Sequence, residues 1–529
     1  MKKLLPLFLA MFMIIALAAC GENKPDDTTP EPRTAANLTD FYSQPAETQS
    51  PDATFKKEIT VSHWQAIDSI DPCLKNGNAA ECVYKMIHGQ LVNYDWINAV
   101  QTPDLAESWE IEDAAHYVFH LRKGVKFSNG EEMKADDVIY SFVDRPAAVQ
   151  GTTGTAVWNE IEKVEAVDDY TVRFILKEND ADFMNRIYLG YYPILNRKAC
   201  EADPEKGYYI GTGGWIVEDF KPNDRVIFTR FDDSWVWKEN GLNPTEKVTM
   251  RFIEEKTTSS IAIQNKEIAA SSNVNSADLN ALEASGAHTI TYESESLTYM
   301  IFNMANGKFA NSTELRKAVA YAINYDEIIE YATDGLGSRA YSMWGRNQYG
   351  LFEDFDEKYE YNPEKAKELL TKAGYPNGID VKLLIKDKNV APLLQAQLKA
   401  VGFNVTVDLK DTAGANAAVK EKDFDLYFNA ITLQPIGGRF AFIPDIKHST
   451  NRAFYDNPEM VKQFTAAQSE TDDAKRKEIY KQIQIEINDE IPYLALYYGA
   501  ASNVYCDGVS GILWEPDGKP DYSNIRWVE

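Results

Sequence analysis

The sequence predicts an α/β protein of two or three lobes, and three observations support this. The chain has 529 residues, too many for one ordinary domain and enough for large cores. Its first half shows short runs alternating apolar and polar side chains with period two, the pattern of half-buried strands. From Tyr292 onward, helical and strand patterns alternate, the signature of an α/β arrangement. A composition of 44% hydrophobic and 26% charged residues suits a globular body.

The N-terminus has Lys2 and Lys3, an apolar run over 4–16, then Leu17-Ala18-Ala19-Cys20. That run is short for a membrane-spanning helix and right for a signal-peptide core. Leu-Ala-Ala-Cys resembles a bacterial lipobox, so residues 1–19 are expected to be removed and Cys20 lipidated. Residues 20–54 follow as a tether: positions 21–54 hold five Pro and seven acidic residues and no apolar periodicity. As a flexible coil it would span roughly 30 Å.

The body begins near Phe55 with a strand over 58–64, then a turn at Ser69-Ile70-Asp71-Pro72 and a helix over 81–91. Tyr117, Phe119 and Leu121 alternate as a strand, and Asn129-Gly130 is expected to close a hairpin. Lys134 opens a helix with Asp136 and Asp137 in its first turn and Val138, Ile139 and Phe142 on one face. Strands over 161–167 and 170–176 flank Asp168-Asp169, and strands over 226–231 and 248–253 flank Trp235 and Trp237.

Later elements carry clear start and stop signals. Leu315, Ala318, Val319, Ala322 and Ile323 repeat at helical spacing behind a capping box of Asn311 and Glu314. Asn362 caps a helix with Pro363 in its first position and Gly374 at its end. A helix over 393–400 ends at Gly402, before strands over 403–409 and 424–428, a helix over 474–488 and a strand over 493–498.

The chemistry points to binding. A formal net charge of −27 repels nucleic acid and anionic lipid. No Gly-x-Ser-x-Gly, His-Glu-x-x-His or Cys-x-x-Cys is present, so neither an enzyme nor a cofactor is expected. The glycines at Gly211-Thr212-Gly213-Gly214 lack the Gly-Lys-Ser/Thr of a phosphate cradle. His116 and His120 share a strand face but sit about 13 Å apart, too far to hold one metal ion. Cys73, Cys82, Cys200 and Cys506 are an even number in an exported chain and allow three pairings. The short loop favours Cys73 with Cys82, leaving Cys200 with Cys506; free buried thiols are the alternative. Ten Trp and 29 Tyr can line a cleft with rings that bury area and keep a polar tip.

Several motifs stand in one order: Leu105-Ala106-Glu107-Ser108-Trp109, then F-x-L-R-x-G-V-K-F-x-x-G from Phe119 to Gly130, then A-x-D-V from Ala135. Gly89-Gln90-Leu91-Val92, Gly211-Thr212-Gly213-Gly214-Trp215 and ELRKAVAYAINYDEII from Glu314 belong to the same series. Together they closely resemble extracellular solute-binding protein family 5, the peptide and nickel group that serves ABC importers. Two departures are Gly214, where the family has Pro, and Asn324-Tyr325, where it has Asp-Arg.

The resemblance implies an α/β, periplasmic-binding-protein-like fold of class II, cluster C type, with two main lobes plus an extra lobe joined by a two-strand hinge. Lobe I would comprise 55–90, 206–291 and 492–529, the extra lobe 91–205, and lobe III 292–491. It also implies capture of a small ligand, foremost a di- or oligopeptide, by a monomer tethered outside the membrane, and delivery to an ABC permease. Nickel or metal-chelate, anionic or sugar-like solutes are the alternatives, as is a surface receptor or sensor without transport. Family positions point to Trp64, Tyr191, Tyr192 and Asn303 as ligand contacts. Peptide-binding relatives follow the Phe-Asp strand with a Trp and then an Asp for the ligand's amine. Here Ile431 and Gln434 stand near those places, and Arg439 suits a carboxylate or phosphate instead.

Overall fold

The computed structural model describes residues 54–74, 78–95, 100–149, 157–188, 192–305, 307–433, 444, 451–516 and 518–529. Strand β1 (Glu58–His63) buries Ile59 and Val61, and helix α1 (Asn78–Ile87) lays Val83, Tyr84, Met86 and Ile87 on the same first core.

Past Gly89 a separate four-stranded antiparallel sheet is built from β2 (Ala106–Asp113), β3 (His116–Leu121), β4 (Ile161–Asp168) and β5 (Thr171–Leu176), in the order β2-β3-β5-β4. The alternation holds: Tyr117, Phe119 and Leu121 share one core with Val172, Phe174 and Leu176. The Asn129-Gly130 turn forms, with Gly130 at φ +89° and its N–H on the Phe127 carbonyl at 2.8 Å. It closes only a single bridge, Lys126 to Glu132, whereas β3 turns through Asp113 and His116 to pair with β2. A two-residue turn signal carries no information about which strand reaches it. The helix opened at Lys134 runs over Ala135–Ile139, the Lys134 N–H held by Asp137 Oδ2 at 2.9 Å, and widens to a π turn at Tyr140–Asp144.

The chain returns through β6 (Trp215–Lys221), β7 (Arg225–Arg230) and β8 (Lys247–Phe252), and β1 joins β8 in parallel. Backbone contact explains the glycines at this re-entry. A Cβ on Gly211 would stand 2.0 Å from the Ile87 carbonyl oxygen, and Gly213 donates its N–H to that carbonyl at 2.8 Å. Gly214 abuts Trp237, whose Cζ2 would lie 2.4 Å from an added Cβ, so the ring fills the place a larger residue would need.

The largest sheet follows. Strand β9 (Ala287–Phe302) leads to helices α2 (Thr313–Ala322), α3 (Tyr325–Thr333) and α4 (Pro363–Lys372), then β10 (Ile379–Ile385), α5 (Val390–Val401), β11 (Phe403–Leu409), β12 (Leu426–Thr432), α6 (Asp473–Glu490) and β13 (Tyr493–Cys506). Among the described residues its path is Ala270–Ser271, β13, β9, β12, β10, β11, with Ser338–Arg339 added to β13. Ser312, not Asn311, caps α2 by accepting the Leu315 N–H at 3.1 Å. The long apolar repeat breaks where Asn324 caps α3, accepting the Glu327 N–H. Asn362, Pro363 and Gly374 act as expected, and Gly402 ends α5 at φ +113°.

Alternation along β9 splits the second body into two cores, with Met300 and Phe302 on one face and Leu297, Tyr299 and Ile301 on the other. Both long strands also enter the first core, through Ala287 and Tyr292 of β9 and Val504 and Cys506 of β13. The C-terminal Trp514, Tyr522, Ile525 and Trp527 pack there too. Strand β13 extends eight residues beyond the alternation that ended at Tyr498. The small residues Gly499-Ala500-Ala501-Ser502 hide its pattern.

Candidate functional site

The two long strands cross from one body to the other at an irregularity. Glu293 faces Ala500 and Leu297 faces Tyr498, so Ser294, Glu295 and Ser296 stand against Gly499 alone. A bulge of this kind bends a strand and re-aims its side chains. A Cβ on Gly499 would sit 3.4 Å from Ser294 Oγ and 3.5 Å from Ser296 Cβ, in ordinary contact, so only a larger side chain would press on the turn.

Glu295, 3% exposed, gathers the surrounding segments. Its N–H donates to the Pro516 carbonyl at 3.0 Å, and its own carbonyl accepts the Leu433 N–H at 2.8 Å. Its carboxylate accepts both the backbone and side-chain N–H of Asn347, at 3.1 and 2.6 Å. Beside it Arg346 bridges Glu293 at 2.8 Å and also pairs with Glu353, with its guanidinium 4.8 Å above the Tyr498 ring. The crossing is therefore rich in oriented charge.

A buried quartet lies next to it. Lys85 pairs with Glu515 and, at 3.2 Å, with Glu81, while Lys519 pairs with Glu81 and sits 3.6 Å from Glu515. Burial works against the Lys85 charge, but Glu515 and Glu81 outweigh it and hold its pKa above the ordinary lysine range. The core beneath the extra sheet reaches this place through Tyr94 and Tyr188, whose rings stack at 4.6 Å. Burial, with Asp95 and Glu295 adding, raises the Tyr94 hydroxyl to about 12. Burial also drives Tyr188 well above its usual range, in a field that includes Lys519, Glu81 and Glu515. None of these residues was legible as a site. The available signal was the pair of carboxylates, Glu293 and Glu295, in the middle of a long strand.

Three of the sequence-derived contacts, Trp64, Tyr192 and Asn303, are among the described residues. Trp64 is half-buried at the end of β1, stacked on His63 at 4.3 Å. Tyr192 is a core residue: its hydroxyl accepts the Val157 N–H at 3.1 Å and its ring packs on Trp158 and Phe142. Asn303 is fully buried at the far end of β9, donating to the Lys422 and Phe424 carbonyls and accepting from Ala305. With its hydrogen bonds used inside the fold, it ties strand to loop. Tyr191, Gln434, Arg439 and Cys20 lie outside the described residues. Leu433, however, is hydrogen-bonded to Glu295, which brings the chain to the crossing one residue before Gln434.

The expected disulfides are not present among the described residues: Cys73, Cys82, Cys200 and Cys506 are buried thiols. Cys73 belongs to the core of the extra sheet, and Cys82 is on α1 in the field of Lys519. Cys506 donates to the Ile268 carbonyl at 3.4 Å in the first core. His116 and His120 pair separately with Asp113 and Glu110, and no metal-ligand cluster occurs among the described residues.

A sequence profile described as bacterial extracellular solute-binding proteins, family 5 Middle, matches residues 101–452. Heme-binding protein A of Haemophilus influenzae is 25% identical over 84% of this chain and 87% of its own length. The dipeptide-binding protein of Escherichia coli is 25% identical over 83% of this chain and 88% of its own. An ABC transporter substrate-binding protein of Listeria monocytogenes, CtaP, superposes with a TM-score of 0.80 at 23% identity, covering 90% of this chain and all of that one. The fold is thus the mixed α/β periplasmic-binding-protein fold of these structures. This chain belongs to bacterial extracellular solute-binding protein family 5.

Proposed function

We propose that the protein is a lipid-anchored, extracytoplasmic receptor that captures a di- or oligopeptide between its two main lobes and presents it to the permease. The observation that carries this is the crossing of β9 and β13: two continuous strands link two separate cores, and their irregularity at Glu293–Leu297 supplies a hinge. Ligand favours the closed arrangement by touching both lobes, and the permease recognises that arrangement. Cys20 carries the lipid, and residues 20–54 hold the body off the membrane. Lobe I comprises 55–90, 206–291 and 492–529, the extra lobe 91–205, and lobe III 292–491. The ligand contacts proposed from the sequence are Gln434 and Arg439, with Trp64 and Tyr191.

A second reading has one observation in its favour. Gln434 stands where peptide-binding relatives carry the amine-binding Asp, and Arg439 adds a cation, which suits an anionic solute such as a carboxylate-bearing chelate. Arg439→Ala separates the two. It should weaken an anionic ligand about tenfold, on the order of 1.4 kcal/mol. A peptide held by its backbone should be affected far less, and unchanged affinity for every ligand removes Arg439 from the site.

A further inference from the structure

A second concavity, of about 410 Å³, opens between the first core and the extra sheet. It falls within the range of small-molecule sites, roughly 300–1,000 Å³. Among the described residues, none between 292 and 491 lines it, so it is separate from the cleft proposed above. Its wall is chemically unfinished. Trp235 and Trp237 each hold a buried indole Nε1 with no hydrogen-bond partner, and Gln90 holds a buried Oε1 in the same condition. Trp237 is 4% exposed and Gln90 6%, so neither side chain is turned out to solvent. Buried polar groups are rarely left unsatisfied, and three on one wall mark a place for a ligand with its own donors and acceptors.

The charges say what kind. Asp104, Glu239, Glu515 and Asp521 line the concavity against one ammonium, Lys85, which is already held by Glu515 and Glu81. Glu239 takes Arg122 at 2.7 Å. Asp104 accepts the Gln90 N–H at 2.9 Å, and its burial raises the carboxyl to about 6. A cation placed beside Asp104 would relieve that cost.

We propose that this concavity is a second binding site, for a small hydroxylated amine: the ammonium meets Asp104 and Asp521, and the hydroxyls accept from Trp235 and Trp237. This goes beyond solute capture in the main cleft and does not depend on what that cleft binds.

Titration calorimetry of the full-length protein with glucosamine, ethanolamine and tris(hydroxymethyl)aminomethane tests it, with N-acetylglucosamine as the uncharged control. The expected result is one saturable amine site, bound at least tenfold more weakly after acetylation and in Asp104→Asn, and unchanged in Arg439→Ala. Trp235→Phe removes one indole N–H from a half-exposed ring and should weaken binding severalfold, which keeps the test open if Asp104→Asn does not fold. Binding by none of the amines, equal binding of the acetylated sugar, or indifference to both substitutions overturns the site. Loss of binding in Arg439→Ala would move the amine to the main cleft and overturn it equally.

Discussion

The Leu433 N–H donates to the Glu295 carbonyl at 2.8 Å, fastening the residue just past β12 to the wider of two places where β9 and β13 lose register. Gly499→Val should crowd Ser294 and Ser296 and lower ligand affinity with little change in the thermal midpoint of the ligand-free protein. Equal affinity in the variant would argue that the crossing does not bend.

The buried quartet gives a large stability effect. Lys519 and Glu81 have side chains only 3% and 2% exposed, so Lys519→Met leaves a buried carboxylate short of its partner. The expected loss is about 3–5 kcal/mol in denaturant unfolding. A loss below about 1 kcal/mol would mean that water reaches the quartet.

Gly214→Ala should destabilise by overpacking, because the new Cβ meets the buried Trp237 ring. About 1–3 kcal/mol is expected. An unchanged midpoint of unfolding would show that the indole has room to move.

The four body cysteines should all titrate as thiols after unfolding without reductant, and none should react in the native state. Burial drives Cys73 to about 12 and Cys200 and Cys506 to about 11, which suppresses the reactive thiolate. Recovery of fewer than four thiols from fully unfolded protein would restore a disulfide.

His63 makes stability fall in acid. It is fully buried, donates from Nε2 to the Ala79 carbonyl at 2.8 Å, and burial lowers its pKa to about 4. Between pH ~6.5 and ~4 the unfolded chain takes up a proton that the folded one refuses, so stability drops as pH falls through that window and is unaffected above it. The drop amounts to roughly 3 kcal/mol by pH ~4. His63→Gln, measured by denaturant unfolding across that range, should show a shallower slope. An identical slope would assign the acid sensitivity to other groups.

What was legible in the sequence follows from range. Caps and stops act within a turn, so Asn362, Pro363, Gly374 and Gly402 announced their helices correctly. Alternation acts within a strand, so β3, β5 and β11 were visible. Pairing is not local, and the Asn129-Gly130 turn was given to a strand it does not close. The crossing was invisible because its defining residue, Gly499, looks like the end of a strand and is the middle of one. Family position points to Tyr192 and Asn303, whose hydrogen bonds lie in the fold's interior. Glu295, Arg346 and the quartet come together from segments more than fifty residues apart, a meeting that no spacing rule anticipates.

The most direct measurement is a thermal-shift screen against di- and oligopeptides, glutathione, haem and nickel chelates, each at high excess. A ligand at ~100 times its dissociation constant adds roughly 2.7 kcal/mol to the folded state. One class, foremost peptides, should raise the midpoint, and Gly499→Val should diminish the shift. If no class moves the midpoint, or if the shift is identical in Gly499→Val, solute capture at the crossing of β9 and β13 is contradicted.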